Sequence, residues 1–126
     1  MTTSEESPRL TEATVQEIQL ELIRRHQHNY FDGQEVAEDL MAHRDWWEAV
    51  LMDTSAGLVK LRDLGDNFWN VDTLYILATD EPNARRLAKL GERWSADSVI
   101  VYDEEETEWE LGGGIEEQRL VTMWWD

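Results

Sequence analysis

Cysteine is absent from this chain, and so is any long apolar run. Without cysteine the protein cannot build a zinc ribbon, an iron–sulfur cluster or a thiol nucleophile. The lack of disulfides is typical of a cytoplasmic protein, and we expect a cytoplasmic location. No apolar run is long enough to cross a bilayer, and no basic start precedes a shorter one. We therefore expect neither a membrane span nor a signal peptide.

Lysine is scarce, and acids greatly outnumber bases. Only Lys60 and Lys89 are lysines, whereas aspartate and glutamate total 28, and the formal net charge is −17. Such a surface repels phosphates and anionic lipid heads, so we expect no direct contact with nucleic acid or membranes. It also repels itself, but at about 1 M salt the screening length falls to roughly 3 Å. The composition resembles that of proteins from salt-accumulating halophiles, and no motif identifies a family.

The length of 126 residues fits one domain. A domain of this size buries about two thirds of its unfolded surface, so it needs neither a disulfide nor a structural metal to fold. Residues 1–9 are polar and end at Pro8-Arg9, which predicts a frayed tail. Residues 10–126 are predicted to form a single globular domain.

Three helices are predicted in the first half of the chain. The first begins at Leu10, and the second covers residues 34–43. The third covers residues 45–64, although Gly57 disfavours it and an alternating pattern offers a strand at 58–64 instead. The apolar stripe of the first helix comprises Val15, Ile18, Leu22, His26 and Tyr30.

The second half is predicted to be a β-α-β-β-β unit. Residues 73–78 and 98–102 are apolar runs typical of buried strands, and a helix capped by Asp80 lies between them. This strand–helix–strand predicts a right-handed parallel crossover. Residues 106–111 alternate glutamate with other residues and predict a half-exposed strand; residues 120–125 predict the last strand. The expected class is α+β (or α/β), with N-terminal helices followed by a small mixed sheet that helices cover.

Motifs for catalysis or for cofactor binding are missing. His26 and His28 lie about 200° apart on the predicted helix, which prevents them from chelating one metal. The chain has no His-Glu-x-x-His and no Gly-x-Ser-x-Gly. Gly112 to Gly114 are followed by acids, the wrong charge for a phosphate loop. We expect no cofactor and no metal.

The most biased segment runs from Asp103 to Glu117, with eight acids and no base. A solvated edge that discourages strand pairing is the favoured interpretation; a docking face for a basic partner comes second, and a cation site comes last. The candidate partner-binding residues are Asp103, Glu104, Glu105, Glu106, Glu108, Glu110 and Trp46.

Seven tryptophans are the second unusual feature. Trp47, Trp94 and Trp109 occupy inward positions of their patterns, so we expect them in the core. Trp46 is expected to be the most exposed, and an exposed tryptophan can be a contact hot spot.

Three function hypotheses remain open. The first is a small, non-enzymatic, acidic interaction or accessory domain of a high-salt cytoplasm, with a protein partner or a second copy of itself bound through a sheet edge. The second is an acidic nucleic-acid mimic that inhibits a basic protein. The third is a small enzyme whose site is assembled only in three dimensions, with His43, Asp80 and Tyr75 as candidates.

Overall fold

The computed structural model describes residues 9–54 and 61–126. The predicted tail lies outside this range except for Arg9, which precedes a turn. The helices and strands, in chain order, are α1 (Val15–Arg25), β1 (Gln27–His28), β2 (Phe31–Asp32), α2 (Gly33–Ala42), β3 (Trp47–Asp53), α3 (Leu61–Gly65), β4 (Thr73–Ala78), α4 (Glu81–Arg93), β5 (Ser98–Val101), α5 (Glu104–Leu111) and β6 (Arg119–Trp124), with a 3₁₀ turn at Arg44–Trp46 before β3.

The main sheet has four strands in the order β3-β4-β6-β5, and every neighbouring pair is antiparallel. The mixed α+β class is therefore confirmed, with helices followed by sheet elements. β4 and β5 run in the same direction, as a crossover requires, but β6 lies between them. The sheet is thus antiparallel rather than mixed. Leu120 to Met123 are buried on both faces, and such a strand gains most from a central position.

The predicted third helix is wrong, because residues 47–53 form strand β3. Its buried residues are Trp47, Val50 and Met52. A register shift between Trp47 and Ala49 adds a residue, so the inward positions are first three and then two apart. The spacing of three resembles a helical period. Residues 61–65 form helix α3 rather than the alternative strand, and residues 55–60 lie outside the described ranges.

The predicted strand at 106–111 is also wrong, because this segment is helix α5. Asp103 and Glu106 form a reciprocal capping box. Three glutamates in the first turn stabilise the helix, because their negative charge lies near the positive end of the helix dipole. Gly112 ends the helix with φ of 78°, in the left-handed region that glycine tolerates best. These end signals outweigh the chance alternation of glutamates in between.

One face of the sheet carries the core. Leu74, Ile76, Val121 and Met123 point to this face and are fully buried, and the core cluster also includes residues of α1, α2 and α4. Gly91 lets α4 approach closely, because a Cβ there would lie 2.8 Å from Met123 Sδ. The α1 stripe differs from its prediction. The helix ends at Arg25, so His26 and Tyr30 lie beyond it. Ile23 and His26 are buried, whereas Val15 and Tyr30 are exposed.

The opposite face of the sheet is covered only in part, since Thr73, Leu120 and Thr122 are buried there but other side chains are exposed. Leu51, Ile100 and Trp124 point to it and keep 45%, 50% and 37% of their surface exposed. Tyr75, in the middle of this face, is half-buried. Helices α1, α2 and α4 contribute to the core on the first face, whereas α5 is anchored at Leu120, whose side chain points to the opposite face. No helix of the described residues is long and apolar enough to cross a membrane.

Candidate functional site

Helix α5 contains most of the acids that the sequence singled out, and its orientation is set by one buried residue. Thr107 is fully buried, and its Oγ1 accepts a hydrogen bond from the backbone N–H of Leu120 at 3.0 Å. This bond anchors the helix beside the first residues of β6. Trp109, two residues later, lies about 200° further round the helix and is therefore directed away from the protein.

Trp109 is the most exposed tryptophan of the described residues, with 83% of its surface accessible. It forms a shallow hollow with Glu105, Glu108, Gly112 and Gly113. The core position expected for Trp109 is therefore wrong. The misassignment of the segment as a strand is the cause, since alternation placed Trp109 on the same face as Thr107.

The carboxylates of the acidic segment differ in what they contact. Asp103 accepts a hydrogen bond from the backbone N–H of Glu106 at 2.7 Å, and Glu106 accepts one from Asp103 N–H at 3.0 Å. The carboxylates of Asp103 and Glu106 therefore cap the N-terminus of the helix. Glu104, Glu105, Glu108 and Glu110 surround the rest of the helix, and no ion pair within residues 9–54 and 61–126 involves any acid of α5.

Trp46 is half-buried rather than freely exposed. Its ring stacks on His43 with 3.9 Å between centroids, and the guanidinium of Arg86 lies 5.9 Å from it. Its carbonyl oxygen accepts a hydrogen bond from Thr79 N–H at 3.0 Å. None of these contacts of Trp46 within the described residues is with the α5 acids with which it was grouped. Trp47 and Trp94, as expected, are buried.

The three candidate catalytic residues have separate partners. His43 stacks on Trp46, while the Asp80 carboxylate accepts from Asn83 N–H at 2.9 Å and caps α4, as predicted. Tyr75 lies on the partly covered face of the sheet, where burial first and the charge of Asp53 second raise its pKa. Within the described part of the chain no hydrogen bond joins any two of the three candidates.

His26 is part of an aromatic cluster. Its ring lies 5.4 Å from Phe31 and 5.6 Å from Trp69 between centroids, and its Nε2 is 2.8 Å from the carbonyl oxygen of Val71. Burial lowers the pKa of His26 and so favours the neutral ring; because a carbonyl oxygen can only accept, Nε2 is the donor in this hydrogen bond. The burial of His26 agrees with its place on the predicted apolar stripe. A cleft of about 410 Å³ lies beside the cluster.

His28 corrects one expectation from the sequence. Because α1 ends at Arg25, His26 and His28 follow the helix, and their rings stack 6.1 Å apart instead of lying on opposite sides. Even so, no group of three or more metal-binding side chains occurs in the described ranges.

Comparison with known proteins gave no relative. No family model, curated protein or solved structure matches the chain. Any functional argument therefore depends on the geometry of the chain itself.

Exposed acids are present on α1, α2, α4 and α5 and on the segments between them. The five ion pairs within the described residues engage only Glu21, Asp39, Asp63 and Glu81. A nucleic-acid mimic needs rows of carboxylates along one surface. This wide distribution does not resemble such a row, and it makes α5 distinctive through Trp109 rather than through charge alone.

Proposed function

We propose that this protein is a non-enzymatic interaction domain of a high-salt cytoplasm, and that α5 is its contact surface for an arginine-rich segment of another protein. The observation that supports this most directly is the exposure of Trp109 within the most acidic helix. A tryptophan contributes binding energy when a partner covers it, and tryptophan and arginine are both enriched among contact hot spots.

Arginine is the side chain that best fits this surface. A guanidinium over an indole ring gains about 0.5–1 kcal/mol when exposed, and about 2 kcal/mol when desolvated. Its N–H groups can also bind carboxylates in a bidentate manner, and Glu105 and Glu108 flank Trp109. A lysine would gain the charge attraction but would stack less well.

The salt concentration separates long-range charge attraction from contact at a local site. At about 0.1 M salt any cationic peptide is attracted to a chain with a net charge of −17, whatever surface it meets. At about 2 M salt the screening length falls below roughly 3 Å, and only interactions at contact distance remain. Binding that persists at molar salt therefore reports a local site.

The test is the fluorescence anisotropy of a labelled oligoarginine peptide titrated with the protein at about 0.1 M and about 2 M KCl. Wild type is compared with Trp109→Ala and with Tyr30→Ala, the matched control. Tyr30 is an equally exposed aromatic residue, at 81%, and lies in the turn between β1 and β2, away from α5.

At high salt we expect Trp109→Ala to weaken peptide binding by about 5- to 30-fold, which corresponds to about 1–2 kcal/mol. We expect Tyr30→Ala to leave it unchanged. Equal losses in the two variants, or the disappearance of binding from wild type at high salt, would show that the attraction is only long-range and that α5 is not a site.

A further inference from the structure

The two edge strands of the sheet differ in what covers their outer backbone groups. Along β3 the outward groups belong to Val50 and Met52. The side-chain oxygen of Gln16 accepts a hydrogen bond from Val50 N–H at 2.9 Å, and its side-chain nitrogen donates one to the Val50 carbonyl oxygen at 2.9 Å. The side-chain oxygen of Gln19 accepts a hydrogen bond from Met52 N–H at 3.0 Å. Side chains of α1 therefore take the place of a neighbouring strand.

Along β5 the outward groups belong to Val99 and Val101. Tyr102 N–H donates to the Leu120 carbonyl, so Tyr102 faces β6, and by alternation Ile100 and Ser98 face it as well. The backbone groups of Val99 and Val101 then point away from the sheet. No hydrogen bond within residues 9–54 and 61–126 reaches them.

We propose that two copies of this chain associate through β5, antiparallel, with the two-fold axis at Ile100. Val99 of each copy would then exchange backbone hydrogen bonds with Val101 of the other, and one continuous sheet would run through both. This proposal concerns a different surface from α5 and does not depend on the binding of a basic partner.

A second copy fits this edge because the edge is self-complementary. Ile100 is half exposed, and a two-fold axis places it opposite its own equivalent in a non-hydrogen-bonded pair, where side chains approach most closely. β5 itself, from Ser98 to Val101, contains no charged residue that would discourage pairing. The contact would therefore bury apolar surface and satisfy the outward backbone groups together.

The capped β3 edge determines the size of the assembly. Pairing through two open edges would build a fibre, whereas pairing through one open edge closes at a dimer. Because Gln16 and Gln19 occupy the β3 edge, association through β5 ends with two copies.

Salt should control this dimer. In the proposed register Asp97 of one copy lies opposite Asp103 of the other, and both chains are strongly negative. At about 0.1 M salt this repulsion opposes association, and at about 2 M it is screened. We expect a monomer at low salt and a dimer at high salt.

Sedimentation velocity across protein concentration at about 2 M KCl tests the proposal with two variants. Ile100→Lys replaces the apolar pair at the axis with two ammonium groups that the contact would desolvate, and it should raise the dissociation constant at least about tenfold. Leu51→Lys is the matched control, since Leu51 is similarly exposed on the same sheet face but lies on the capped strand. It should leave the dimer intact.

Crosslinking then tests the register. The chain has no cysteine, so Ile100→Cys gives one thiol per copy. Residues in a non-hydrogen-bonded pair have Cα atoms about 4.5 Å apart, which suits a disulfide. With diamide as the oxidant, Ile100→Cys should form a covalent dimer at high salt and Leu51→Cys should not. A wild type that stays monomeric at millimolar concentration and high salt, or a dimer indifferent to Ile100→Lys, would overturn the proposal.

Discussion

The two edge strands, β3 and β5, belong to the same sheet but differ in the hydrogen bonding of their outward backbone groups. On β3, Gln16 presents one donor and one acceptor to Val50, as a peptide group of a neighbouring strand would. On β5, the outward groups of Val99 and Val101 have no hydrogen bond within the described residues. The difference does not come from the strands, because each is short and apolar on its inner face. It comes from α1, which packs beside one edge and not the other.

The largest expected effect follows from Gly33, which holds α1 and α2 together. A Cβ at this position would lie 2.0 Å from the carbonyl oxygen of Ile23 and 2.4 Å from that of His26, and backbone atoms cannot yield as side chains do. Gly33→Ala should therefore separate the helices and cost about 3 kcal/mol of unfolding free energy or more. Gly65→Ala is the control, because nothing lies within 4 Å of a Cβ there.

Urea unfolding followed by tryptophan fluorescence measures both variants. If Gly33→Ala loses no more than Gly65→Ala, the close approach of the two helices does not hold α1 in place. The capping of β3 would then need another explanation.

Removal of the glutamine caps should make the two edges alike. The double variant Gln16→Ala, Gln19→Ala removes the hydrogen bonds to the part-buried N–H groups of Val50 and Met52, at a cost of about 1 kcal/mol for each bond. With both edges open, assembly no longer closes, so we expect species larger than a dimer at molar salt. Light scattering would detect them, and a double variant no larger than wild type would contradict the role of the caps.

Salt should act on the whole molecule as well as on β5. Most acids have no ion-pair partner among the described residues, so the folded state repels itself at low salt. From about 0.1 M to about 2 M KCl we expect the midpoint of thermal unfolding to rise by about 10 °C, or roughly 2–3 kcal/mol. Midpoints measured at low protein concentration, where the chain is monomeric, separate this effect of salt on folding from its effect on dimerisation. An unchanged midpoint would remove adaptation to high salt as the reason for the charge.

A smaller effect should come from His26, which lies directly after α1. Burial lowers its pKa, so the folded protein keeps the ring neutral while the unfolded chain takes up a proton near pH 6.5. Stability is therefore complete above about pH 6.5 and falls as the pH is lowered from there towards the pKa of the folded state. Unfolding free energies at about pH 7.5 and 5.5 should show this loss.

His26→Gln should flatten the pH dependence, whereas the neighbouring His28→Gln should retain it. If both variants keep the slope of wild type, another group is responsible. Only the slope is compared, so a general loss of stability in either variant does not affect the outcome.

Local signals in the chain predicted several elements correctly. The bounds of β4 match the apolar run at 73–78, and Asp80 caps α4 as its position indicated. Predictions failed where two periodicities competed. The bulge after Trp47 gave β3 a helical spacing, and the alternating glutamates concealed the capping box of Asp103 and Glu106. Greater weight on the capping pair and on Gly112 would have identified α5, and with it the exposure of Trp109.

The sequence by itself determined the net charge, the absence of thiol chemistry and the α+β class, because these depend on composition and on neighbouring residues. Only the tertiary structure decided that β6 separates β4 from β5, that Gln16 caps β3, and that Ile100 lies on an open edge. Such features join residues far apart in the chain. Gln16 and Val50 are 34 positions apart, and no local pattern specifies which glutamine will meet which strand.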